Sequence, residues 1–231
     1  MNSLKWPRRL VIVRHGQSEQ NAALDLMDDN LEEKLKRQKT IRDADIELTE
    51  KGIKQAQDTG RYLSHTEPFD ICFSSPYRRV LQTAENIISN IGYILSLYKD
   101  NRLREKEFGR LHGYTKEEIK ERYPEEFEDR IRDGKYWYRL PRGENYPDVE
   151  ARVHSFLDKL VRDYGGKNVL VVTHQVTYKM FRALFEHLDE EAVLALEECP
   201  NCGIQDYFIE TSENPEGRMK LRQFNLVAYE N

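Results

Sequence analysis

Two blocks of uninterrupted aliphatic residues, Leu10-Val11-Ile12-Val13 and Val169-Leu170-Val171-Val172, stand out from an otherwise polar chain. Each is too short for a helix and reads as a strand buried on both faces, the kind found inside an open α/β sheet. Phe69-Asp70-Ile71-Cys72-Phe73 predicts a further strand, residues 93–98 another, and residues 205–210 and 221–229 two more near the C-terminus. Between them apolar residues recur at spacings of three and four, the helical period. Thr49 caps one helix with the face Ile53, Ala56, Gly60 and Leu63. Ser75 and Pro76, cap then first turn, open a second that carries Tyr77, Val80, Leu81, Ala84, Ile87, Ile88 and Ile91. A long helix over residues 147–164 buries Val149, Val153, Phe156, Leu157 and Leu160 and stops at Gly165-Gly166. A last helix bears Val176, Met180, Ala183 and Leu184.

The remaining stretches are less periodic. Residues 22–45 are rich in charge, with Leu24, Leu26, Leu31 and Leu35 interspersed, and are expected to form a helical flap over the site. Residues 101–114 read as a loop and 115–138 as short, strongly charged helices. No internal repeat or Gly/Ser linker marks a boundary, so residues 1–231 are read as one domain. Strands alternating with helices argue for a three-layer α/β/α sandwich.

Composition narrows the partners. A charged fraction of 33%, a mean hydropathy of −0.80 and a net charge of −5 argue against a general binder of nucleic acid or membrane surfaces. An anionic substrate would have to be drawn in by a local cluster of Arg and His. Only four apolar residues separate Arg9 from Arg14, too few for a signal-peptide core, and no apolar run approaches membrane-spanning length. A cytoplasmic location is expected. The three cysteines give no disulfide framework: Cys72 falls within a strand, and Cys199 and Cys202 form a C-x-x-C without the second pair that a zinc site needs. Asp43-Ala44-Asp45 follows no buried strand and is read as a solvated charge run rather than a magnesium site. No metal and no cofactor are expected.

The candidate chemistry sits where the aliphatic strands end, at the edge where open α/β sheets place their ligands. The first strand runs into Arg14-His15-Gly16 and the later one into Thr173-His174, and a helix follows each. An imidazole beside a fixed cation stays unprotonated and nucleophilic, and the cation steadies phosphoryl oxygens. The glycine is expected to let backbone approach a bound anion, and the helix amino termini to offer it N–H groups. Arg78 or Arg79 supplies a third basic group; the helical wheel does not choose between them.

Further motifs accompany these in order. Arg14-His15-Gly16-Gln17-Ser18 with Asn21 resembles the R-H-G-x-[ST]-x-x-N signature of the histidine phosphatase superfamily, the phosphoglycerate mutase-like family. Leu48-Thr49-Glu50-Lys51-Gly52 with Gln55-Ala56, the segment from Ser74 to Ala84, Leu103-Arg104-Glu105 with Gly109 and Gly113, and Gly143-Glu144 are similar to its other segments. The resemblance implies a mixed, mostly parallel six-stranded sheet with helices on both faces. It implies His15 as nucleophile, Arg14, Arg79 and His174 as the rest of the phosphate pocket, and Glu105 as proton donor. Asn21 and Gln175 would be lesser substrate contacts; Gln175 stands where a glycine is frequent, and His112 where an acidic residue is common. Glu107, two residues on, is an alternative acid.

These residues imply a metal-independent, histidine acid phosphatase-type hydrolysis of a small phosphorylated metabolite or other phosphomonoester. A cofactor-dependent phosphoglycerate mutase would use the same residues. Against it, the segment between Glu105 and Gly143 is short, and Glu125, Glu126, Glu128 and Asp129 would repel a doubly phosphorylated ligand if they faced it. A catalytically inactive interaction module is the third reading. Tyr136-Trp137-Tyr138 either lines the substrate side of the pocket or forms a buried aromatic cluster.

Overall fold

The computed structural model describes residues 4–25, 41–211 and 217–229. Six strands form one mixed sheet: β1 (Arg9–Arg14), β2 (Ile71–Ser74), β3 (Leu97–Lys99), β4 (Asn168–Thr173), β5 (Ile204–Glu210) and β6 (Arg218–Leu226), in the order β3-β2-β4-β1-β5-β6. β1, β2, β3 and β4 run parallel, and β5 and β6 close one side as an antiparallel pair. The two aliphatic blocks lie side by side in its centre, Val11 opposite Leu170 and Val13 opposite Val172.

Strand periodicity then divides the core in two. Val11, Val13, Leu170 and Val172 face α2 (Glu50–Ser64) and α3 (Arg78–Asn90) through Ala56, Leu63, Val80, Ala84 and Ile87. Leu10, Ile12, Val169 and Val171 face α6 (Tyr146–Asp163) and α7 (Gln175–Glu186) through Val149, Val153, Phe156, Leu160 and Phe181. Burial of each such side chain contributes about 1.5–3 kcal/mol. A third, small cluster of Leu111, Ile119, Tyr138 and Leu140 holds α4 (Lys116–Arg122) and α5 (Pro124–Trp137) beside the sheet edge. Between β1 and α2 the chain also forms α1 (Glu19–Asp25), and α8 (Glu190–Ala195) precedes β5.

Three boundaries differ from expectation. β3 begins at Leu97 rather than residue 93, because Gly92 turns with φ +87° and Ile94 is left wholly exposed. α3 begins at Arg78 with Tyr77 as its cap; the Ser75 hydroxyl accepts the Tyr77 N–H but is also committed to His174. β6 starts earlier than expected, at Arg218, and pairs with β5 through a bulge. Most of the expected flap over 22–45 lies outside the described residues.

Arg9 explains why an antiparallel strand joins the parallel ones. Its guanidinium makes two 3.0 Å bonds to both carboxylate oxygens of Asp206, each side chain almost fully buried. A buried, bidentate pair of this kind fixes register where a mispaired charge would be costly.

Candidate active site

The carboxyl ends of β1, β2 and β4, with the loop after β3, converge on a cavity of about 190 Å³. Arg14 and His15 reach it from the end of β1, Asn21 from α1, Arg79 from the first turn of α3 and Glu105 from the loop after β3. His174, at the end of β4, packs beneath: its ring centroid is 5.3 Å from that of His15, with the planes at 70°.

Hydrogen bonding sets the tautomer of His15. His15 Nδ1 lies 2.7 Å from the Gly16 carbonyl oxygen. A carbonyl only accepts, so Nδ1 carries the proton and Nε2 keeps its lone pair. Burial, followed by the charges of Arg79 and Arg14, holds the His15 pKa well below the usual imidazole value. Burial and Arg79 do the same for His174, whose Nε2 is 2.9 Å from the Ser75 hydroxyl.

Glu105 is in the opposite condition. Its carboxyl is buried and accepts the N–H of Lys106 at 2.8 Å and that of Val176 at 3.1 and 3.3 Å. Burial outweighs these bonds and the charge of Arg79, and pushes its pKa above the usual carboxylate value. The site therefore offers a neutral imidazole and a carboxyl disposed to hold a proton. That division suits a nucleophile and a general acid.

The ambiguity between the two arginines resolves in space. Arg79 is almost fully buried and lines the cavity, whereas Arg78 pairs with Glu47 on the surface. Glu105 lines the cavity too; Glu107 lines a shallower neighbour, and its carboxylate accepts the Gly109 N–H. His112 borders both.

The comparisons bear on which family uses this arrangement. The model of the histidine phosphatase superfamily (branch 1) matches residues 10–214. The chain belongs to that superfamily. It is 33% identical over 195 residues to a 2,3-bisphosphoglycerate-dependent phosphoglycerate mutase of Rhizobium etli, covering 81% of this chain and 85% of that protein. It is 31% identical to the phosphoglycerate mutase-like protein AT74 of Arabidopsis thaliana, over 76% of this chain, and spans 56% of that protein's length. Among solved structures, a mycobacterial glucosyl-3-phosphoglycerate phosphatase in complex with inorganic phosphate superposes with a TM-score of 0.72. That structure is 27% identical, and the match covers 96% of this chain and 98% of that one. Phosphatases and mutases alike transfer phosphoryl groups.

Several superfamily motif residues do other work than expected. A Cβ on Gly16 would stand 2.5 Å from the Gly52 carbonyl oxygen, and one on Gly52 would stand 2.1 Å from that of Gln17. These glycines let α2 press against the loop after β1; the Gly16 N–H is taken by the Thr83 hydroxyl at 3.1 Å rather than offered to an anion. Likewise the amino terminus of α7 spends its Val176 N–H on Glu105. Gln175, expected with the phosphate pocket, instead lines an adjoining cavity, its buried amide atoms without a partner. Of the aromatic triplet, Tyr136 stacks on Tyr146 in the core, Tyr138 is buried, and Trp137 is exposed.

Two features escaped sequence reasoning. Asp43, taken for a solvated charge, lines the cavity and pairs with Arg79 at 2.9 Å. Glu144 receives Arg104 at 2.6 Å and Arg152 at 3.0 Å, and Arg152 in turn donates to the carbonyl oxygens of Arg102 at 2.6 Å and Glu105 at 3.1 Å. Burial alone would raise the Glu144 pKa, but the bonds from Arg152 hold it below the usual value. A persistent ion pair thus fastens the Glu105 loop to α6.

Proposed function

We propose that the protein is a metal-independent phosphomonoesterase acting through a phosphohistidine on His15. The tautomer of His15 carries this reading: Nδ1–H is bound to the Gly16 carbonyl, so the lone pair available for attack is on Nε2. Nε2 attacks phosphorus in line, the ester P–O bond breaks, and Glu105 gives its proton to the departing alcohol. Arg14, Arg79 and His174 stabilise the charge spread over the phosphoryl oxygens, with Asn21 as a lesser contact. Glu105, now a carboxylate, takes a proton from water as the water attacks; the P–N bond breaks and its electron pair returns to Nε2. These groups supply the charge stabilisation that a metal would give, and among the described residues no cluster of His, Cys, Asp or Glu is suited to hold one.

The substrate is proposed to be a small phosphorylated metabolite, hydrolysed in the cytoplasm without nucleic-acid or membrane partners. Among the described residues no helix is long and apolar enough to cross a membrane. Rapid quench with labelled substrate tests the nucleophile. Wild type should trap label that survives base and is lost in acid, and His15→Ala should trap none. Label persisting in His15→Ala would move the nucleophile elsewhere, and absence of any turnover of an aryl phosphate would favour an inactive interaction module.

One observation favours the mutase reading. A second cavity of about 240 Å³ shares Phe108 with the first and is lined by four cations, Lys106, Arg130, Lys135 and Lys179, against one carboxylate, Glu198. Burial, then Arg130, lowers the Lys106 pKa to about 8. The expected repulsion of a second anionic group loses its basis, because none of Glu125, Glu126, Glu128 and Asp129 lines this space; Glu126 accepts the Tyr138 hydroxyl instead. Product analysis separates the readings. Given a phosphomonoester alone, the hydrolase releases inorganic phosphate. A mutase interconverts 3- and 2-phosphoglycerate, needs a bisphosphate and releases little phosphate.

A further inference from the structure

Arg79 is bound twice by one residue. Its Nη1 lies 2.9 Å from Asp43 Oδ1 and 2.6 Å from the Asp43 carbonyl oxygen, and both side chains are largely shielded from water. Asp43 is delivered by a 3-10 turn (Asp43–Asp45) that is anchored downstream: Ile46 and Leu48 are buried, and the Leu48 N–H is held by Gln82 at 2.8 Å. The neighbouring Asp45 by contrast pairs with Arg42 in the open. Asp43 thus brings a carboxylate into a cavity whose cations are Arg14 and Arg79. A phosphoryl group and a carboxylate cannot both take the same guanidinium edge without like charges meeting, an arrangement that costs several kcal/mol.

Asp43 also has somewhere to go. It stands on the wall between the phosphate cavity and the shallower one beyond it, which Arg42 and Arg110 line. Arg110 lies over the Tyr123 ring at 5.9 Å and has no carboxylate partner among the described residues.

We propose that Asp43 competes with phosphoryl oxygens for Arg79 and thereby sets how tightly the pocket holds phosphate. Resting on the reading of Arg14, His15, Arg79 and His174 as a phosphate pocket, the inference adds a determinant of affinity to it. A hydrolase must let go of inorganic phosphate from the pocket that bound the ester. An internal carboxylate that reclaims Arg79 speeds that release at the expense of ground-state affinity.

Titration calorimetry of inorganic phosphate into the full-length protein tests this. Asp43→Asn and, as a second neutral replacement, Asp43→Ser should each tighten phosphate by about tenfold or more, the loss of one like-charge opposition. Asp45→Asn, which lies outside the cavity, should bind as wild type does. The KM for an aryl phosphate should fall together with the phosphate dissociation constant. If the carboxylate merely orients Arg79, both neutral variants will weaken phosphate binding, and the proposal is overturned; unchanged binding overturns it equally. Failure of wild type to bind phosphate at all would instead remove the phosphate pocket itself, and the proposal with it.

Discussion

Glu105 and Val176 are joined through the backbone: the carboxyl accepts the Val176 N–H, in the first turn of α7 and two residues after His174, at 3.1 Å. The acid and the second histidine therefore share one rigid support. The Glu107 carboxylate has no such tie to a helix among the described residues, although its backbone is bound to Glu144. It accepts the N–H of Gly109 within its own loop.

Removing Glu105 should accordingly be selective. Glu105→Ala is expected to slow phosphoryl transfer from alkyl phosphates by about 10²–10⁴-fold, the usual contribution of a general acid. Transfer from p-nitrophenyl phosphate, whose leaving group needs no proton, should slow much less. A burst of nitrophenol before a slow steady state should mark the lagging hydrolysis step. Glu107→Ala should show neither effect; stopped-flow traces of the two variants decide between them.

The pH profile follows from the two opposed shifts. His15 acts only when neutral, so activity is lost as pH falls through its pKa, which burial, Arg79 and Arg14 place well below the usual imidazole value. Glu105 acts only when protonated, so activity on alkyl phosphates is lost as pH rises through its pKa, which burial places above the usual carboxylate value. A bell is expected for kcat/KM of an alkyl phosphate, its acid limb set by His15 and its alkaline limb by Glu105. The alkaline limb should be absent from the nitrophenol burst. Activity on alkyl phosphates that kept rising above neutral pH would contradict the assignment of Glu105 as the acid.

Chelation and oxyanion inhibition address the absence of a metal from the mechanism. EDTA should leave activity intact. Vanadate, which mimics the charge distribution around a pentacoordinate phosphorus, should inhibit competitively. Loss of activity to EDTA and recovery with Mg²⁺ would rule out the proposed pathway.

The contact between α2 and the loop after β1 can be tested by adding a methyl group. Gly52→Ala puts a Cβ 2.1 Å from the Gln17 carbonyl oxygen, where only backbone can give way. A destabilisation of about 1–3 kcal/mol is expected in urea unfolding, the range for overpacking. Activity should fall as well, because the displaced loop carries His15 and leads into α1, which carries Asn21.

Much of this was readable in the chain. The blocks at Leu10 and Val169 declare central strands because nothing polar interrupts them, and the histidines at their ends mark the candidate site. β3 was misplaced because Tyr93 and Ile94 look like strand residues, although Gly92 turns the chain and Ile94 faces water. Gly16 was recognised as needed, but its neighbour is another helix's Gly52, which no local pattern reveals. Asp43 was dismissed for the same reason. Its charge is delivered to Arg79 by tertiary anchoring at Ile46 and Leu48, while Arg42 and Asp45 on either side of it are surface charges.

The ion pair between Glu144 and Arg152 gives the proton donor a foundation behind the cavity lining, through α6. Damage there would be felt first by the donor's placement rather than by the phosphate pocket. A variant such as Arg152→Met would then keep its burst on a good aryl leaving group while failing on alcohols that need a proton. A colorimetric screen that scores the burst would pass it as intact, and only an assay with a reluctant leaving group would expose the loss.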